Sequence, residues 1–62
     1  MALKQRHYVG RFVTADGRPH AFSVWAWNRG EAAALVWAQG REQLGAAFAT
    51  ALFYGVERRG TG

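Results

Sequence analysis

Two stretches early in the chain, His7–Val13 and Ala21–Trp27, carry apolar or aromatic side chains on both of the faces a strand would present. An antiparallel strand with one face in water normally alternates apolar with polar residues, so this pattern demands cover on two sides. One short helix shields one side. The pattern therefore predicts sheet surface that something else must shield, and it points to a molecule that works by docking.

Ala15-Asp16-Gly17-Arg18 separates the two runs, and an Asp-Gly pair in that position is a strong hairpin signal. Two loops fit it. A two-residue type I′ turn at Asp16-Gly17 and a three-residue loop with Gly17 in the left-handed bulge position give opposite pairings. The three-residue loop is the preferred reading. It puts Tyr8, Gly10 and Phe12 on one face with Phe22, Val24 and Ala26, and Val9, Arg11 and Val13 on the other with Ala21, Ser23, Trp25 and Trp27. In the opposite register the tryptophans would simply complete the core.

Asn28 is a favourable N-cap, and Glu31 three positions later approximates a capping box, so a helix is predicted to begin here. At 3.6 residues per turn, Ala33, Val36, Trp37, Gly40 and Leu44 form a core-facing stripe, with Glu31, Ala38 and Glu42 opposite. Trp37 is thereby assigned to the core, while Leu35 projects away as a single exposed leucine. Glycine costs a helix about 1 kcal/mol relative to alanine, so Gly40 within the stripe signals close approach to the sheet. Gly45 reads as the stop.

Residues 47–58 mix helix-favouring alanines with Thr50, Phe53, Tyr54 and Val56, which favour strand. A strand is expected, because a bare hairpin is marginal in water and a third strand completes a layer. The predicted fold is α+β: ββαβ with an antiparallel sheet on one helix, and ββαα as the alternative. A single domain should span residues 1–62, with 1–6 and 59–62 frayed.

A chain of 62 residues buries only about 60% of its unfolded surface, and without cysteine it has no disulfide to compensate. Self-association is the simplest supplement. Half the residues are hydrophobic and 15% aromatic, which sets the chain apart from disordered sequences. The formal charge of +4 favours encounters with polyanions. Yet the eight basic residues, Lys4, Arg6, Arg11, Arg18, Arg29, Arg41, Arg58 and Arg59, never form a run longer than two. Met1–Arg6 lacks the apolar stretch of a secretory signal, and no run approaches spanning length. A cytoplasmic protein without membrane contact is expected.

No constellation for chemistry emerges. Ser23 is the single serine and lies between aromatics, where a small residue permits packing. His7 and His20 fall at opposite ends of the hairpin, roughly 20 Å apart at ~3.3 Å per residue, too far to share a metal within one chain. Asp16, Glu31, Glu42 and Glu57 belong to four different elements, so no carboxylate pair is set for acid–base work. The glycines at 40 and 45 lack the Lys-Ser/Thr of a phosphate loop. The chain is accordingly expected to be no enzyme and to have no catalytic residue, metal site, cofactor or small-molecule substrate.

The partner-binding residues predicted by this reading are Val9, Arg11, Val13, Trp25 and Trp27, and the partner is a second copy, as a homodimer, or another protein. The alternative is a nucleic-acid-binding module, in which the same tryptophans stack on bases while Arg11, Arg29, Arg58 and Arg59 meet phosphates. A third reading, a cap or inhibitor of a larger assembly, leaves the same sequence trace as the first.

Overall fold

The loop between the two aromatic runs fixes the first half of the fold. In the computed structural model, which describes residues 4–59, β1 (Arg6–Val13) and β2 (Pro19–Ala26) form an antiparallel hairpin. Gly17 has φ +82°, the left-handed conformation that costs glycine least. The Thr14 amide donates to the Arg18 carbonyl at 3.0 Å and the Gly17 amide to the Thr14 carbonyl at 2.8 Å. This closes the three-residue loop, and Tyr8 consequently pairs with Val24, Gly10 with Phe22 and Phe12 with His20. The buried Thr14 hydroxyl donates to the Asp16 carboxylate, and that bond holds the Asp16 carboxyl below its ordinary range.

A 16-residue helix, α1 (Arg29–Leu44), follows. The Asn28 side chain accepts from the Glu31 amide at 2.8 Å, as an N-cap should. Glu31 reaches back one residue further than in a standard capping box and accepts from the Trp27 amide at 2.8 Å. Gly45 ends the helix with φ +57°, its amide donating to the Arg41 carbonyl. A short 3-10 turn, Gly45–Thr50, then leads into β3 (Leu52–Arg59). The final strand is present, so the order is ββαβ, but it starts later than the expected 47 because the alanine-rich stretch winds into that turn. Arg6 and Arg59 lie within strands rather than fraying, since each is paired in the sheet, Arg6 with Ala26 and Arg59 with His7. The fraying expected of residues 1–3 and 60–62 lies outside the described residues.

The sheet order is β2-β1-β3, all antiparallel, with the first strand in the middle. Helix α1 covers one face. Its buried residues are Ala32, Val36 and Gly40, so the core stripe is rotated towards Ala32 from the expected Ala33-centred line. Against them pack Tyr8, Phe12, Val24, Ala26 and Val56. Phe12 is 1% exposed and is surrounded by the rings of Phe22, Trp37, Phe48 and Phe53, with centroids 5.0 to 6.0 Å away. Trp37 is a correction. It is 42% exposed and forms the rim of this cluster, edge-on to Phe12, Phe48 and Phe53, because the rotated stripe carries it to the side of the helix.

Two glycines let the layers meet. A β-carbon at Gly10 would stand 2.3 Å from Val36 Cγ1, and one at Gly40 would stand 2.8 Å from Phe12 Cε2. Helix and central strand thus approach backbone to side chain at both points, as the position of Gly40 in the sequence implied.

Candidate functional site: the helix-free face of the sheet

Alternation along β1 sends His7, Val9, Arg11 and Val13 to the face without the helix, and their β2 partners are Trp25, Ser23, Ala21 and Pro19. On the other side of β1, Val9 is opposite Glu57 and Val13 opposite Leu52. The register with β3 shifts between Gly10 and Phe12, where Gly55 takes φ +92°. Such a bulge bends the strand and resets its alternation. Leu52 joins the helix-free face, and Tyr54, immediately before the bulge glycine, is the most exposed large hydrophobic residue among the described residues.

The large apolar residues around this surface are open to solvent: Trp25 and Leu52 at 61% and Tyr54 at 65%. Surface of that kind, gathered on one side of a small protein, ordinarily marks an interaction site. Trp25 stacks on His7 with ring centroids 5.0 Å apart and planes inclined by 24°, which fixes the indole as a flat ledge over the end of β1. Val9 lies buried between Ser23 and Glu57, so it forms the floor of the face rather than a contact surface. Val13 is half-buried at the far end.

The face also carries a small charged centre. Arg11 Nη1 lies 3.5 Å from Glu57 Oε1, and Arg59 Nη1 lies 3.8 Å from the same oxygen. All three side chains are about half exposed, so these pairs add little to stability, yet they give the face both signs of charge. Arg11 is therefore held by a carboxylate and not by an indole.

Of the five residues expected to bind a partner, Arg11, Val13 and Trp25 are together on the accessible face. Trp27 is not on the strand at all. The sheet ends at Ala26, and Trp27, 49% exposed, sits in the bend whose amide is fixed by Glu31, so strand alternation no longer governs it. The four arginines considered for phosphate contacts do not share one face. Arg11 and Arg59 share Glu57, Arg58 is opposite Tyr8, a core residue of the helix-covered face, and Arg29 opens the helix. Leu52 and Tyr54 were missed in the sequence. Their signal was Gly55, since a glycine inside a strand often marks a bulge that re-aims its neighbours.

Among the described residues no group of three His, Cys, Asp or Glu gathers as metal ligands, and no helix is long and apolar enough to cross a membrane. Fold and face together define a small α+β domain with one half of its sheet open. Comparison with protein-family models, curated proteins and solved structures yields no match to this chain.

Proposed function

We propose that this chain is a non-enzymatic interaction protein of the cytoplasm that docks a protein surface, in the simplest case a second copy of itself, through the helix-free face. The observation that carries the reading is the simultaneous exposure of Trp25, Leu52 and Tyr54 around a floor of Val9 and Val13. At about 25 cal/mol per Å², covering several hundred apolar square ångströms contributes several kcal/mol before association entropy is deducted. A domain this small benefits from such cover.

Association through the face makes mass and stability depend on concentration. Light scattering across a dilution series should give more than a single-chain mass at high micromolar concentration. The double variant Leu52→Lys, Tyr54→Lys should be lighter at the same concentration while keeping its circular dichroism. A wild-type chain that is monomeric throughout that range removes self-association and leaves only a foreign protein as occupant.

Nucleic-acid binding is a second reading, favoured by one feature: Arg6, Arg29, Arg58 and Arg59 all fall at the end of the sheet where Trp25 lies. Against it stands Glu57, a carboxylate between Arg11 and Arg59 where a phosphate would have to come. Tryptophan quenching by single-stranded oligonucleotides decides between them. Binding that falls steeply as salt rises supports the nucleic-acid reading, and no quenching at low salt dismisses it.

A further inference from the structure

The two outer strands of the sheet are unlike in how they guard their edges. β3 is bulged at Gly55 and carries Glu57, Arg58 and Arg59, the features by which natural sheets discourage a further strand. β2 has none of these from Ala21 to its end at Ala26, a run without charge, bulge or proline. Its one guard, Pro19, stands at the first position and leaves the rest of the strand free.

The direction of the free main-chain groups follows from the loop. The Thr14 amide bonds to the Arg18 carbonyl, so the alternation of an antiparallel ladder makes His20, Phe22, Val24 and Ala26 the β2 residues that bond to β1. The amides and carbonyls of Ala21, Ser23 and Trp25 point away from the sheet, and all three residues are exposed. What satisfies such a row is another extended strand.

We infer that β2 is a pairing edge for a second copy of this chain, joined antiparallel about a two-fold axis at Ser23 into one six-stranded sheet. The strand matches itself in that register. Ser23 meets its own equivalent, Ala21 is opposite Trp25, and Phe22 is opposite Val24. On the helix-free side each large indole lies across from a methyl group that leaves it room, and on the helix side the half-buried Phe22 gains an apolar neighbour. No charge meets a like charge within the paired run. An isologous contact of this kind closes after two copies. It is separate from docking on the face, because edge pairing leaves Leu52 and Tyr54 on β3 uncovered.

The decisive experiment is amide hydrogen exchange by NMR at low and high protein concentration. Ala21, Ser23 and Trp25 should become protected at high concentration, while the outward amides of β3 are unchanged. Absence of protection at these three amides, at concentrations where the chain is associated or at the highest attainable, overturns the inference. Ser23→Pro, which deletes a central edge donor, and Ser23→Lys, which sets two like charges directly opposite each other across the two-fold axis, should each halve the mass seen by light scattering; unchanged mass in both counts against pairing. The native chain has no cysteine, so Ser23→Cys offers an unambiguous readout. Bonded antiparallel partners have Cα atoms ~5.5 Å apart, inside the disulfide range, so mild oxidation should give a covalent dimer. If face docking also operates, the wild type is a four-chain assembly, Ser23→Pro breaks the edge and leaves pairs held through the face, and the Leu52, Tyr54 double variant breaks the face and leaves pairs held through the edge. Failure of one contact is thereby told apart from failure of the other.

Discussion

Phe12→Ala is expected to abolish cooperative folding. Truncating a buried phenylalanine costs about 3–5 kcal/mol through lost transfer energy and the cavity left behind. A domain of 62 residues has a total stability of roughly 3–9 kcal/mol at ~0.05–0.15 kcal/mol per residue. The loss is therefore comparable to the whole. Phe12 is worse placed than most to tolerate it, because Phe22, Trp37, Phe48 and Phe53 from four different segments all lean on its ring. Urea titration followed by circular dichroism, at fixed protein concentration, should show no transition or one starting without a folded baseline. A variant with a urea midpoint close to that of wild type would show that the ring cluster is not the core. Phe12→Leu keeps most of the volume and should retain a transition.

Gly10→Ala should be the second most damaging change, although it adds a single methyl group. That carbon would stand 2.3, 2.8 and 2.9 Å from the two Cγ atoms and the Cβ of Val36. Val36 is β-branched, confined to one rotamer in a helix, and fully buried, so it has no way to give. Overpacking of this kind costs about 1–3 kcal/mol, more than the ~0.4–1 kcal/mol gained by restricting the unfolded chain. The remedy is specific. Val36→Ala alone should destabilise by opening a cavity, yet the double variant should be more stable than the sum of the two singles by ~0.5–3 kcal/mol. Strict additivity in the four-protein cycle would mean that helix and strand are not in contact at this point.

The parts of this fold that were legible in the sequence are those decided by a few neighbouring residues. Asp16-Gly17 called for a hairpin and narrowed its register to two, of which the structure has the preferred three-residue one, and that register sorts every side chain of the hairpin between two faces. Asn28, Gly40 and Gly45 likewise act locally, as cap, close-approach point and stop. What escaped depends on distant packing. The alanines after Gly45 carry no period, so nothing nearby distinguishes a 3-10 turn from the start of a strand. Trp37 and Ala32 differ by rotation of the helix about its axis, which is set by how closely Gly10 and Gly40 let it settle, and not by the stripe alone. For the candidate site, Trp25, Arg11 and Val13 followed from the register, whereas Leu52 and Tyr54 hinge on a shift in pairing between strands far apart in the chain.

That same separation bears on how the molecule is made. The strand at the centre of the sheet is synthesised first, and one of its two flanks is supplied by residues about 40–50 positions further on. Until those residues leave the ribosome, the nascent hairpin has its middle strand bare along one side, and closing so long a loop is slow compared with forming a helix or a hairpin. A newborn chain thus spends its earliest moments with its apolar central strand as a border, where the finished sheet has the charged and bulged β3. Its abundance in a cell should therefore respond to translation speed and chaperone supply more strongly than its size alone would suggest.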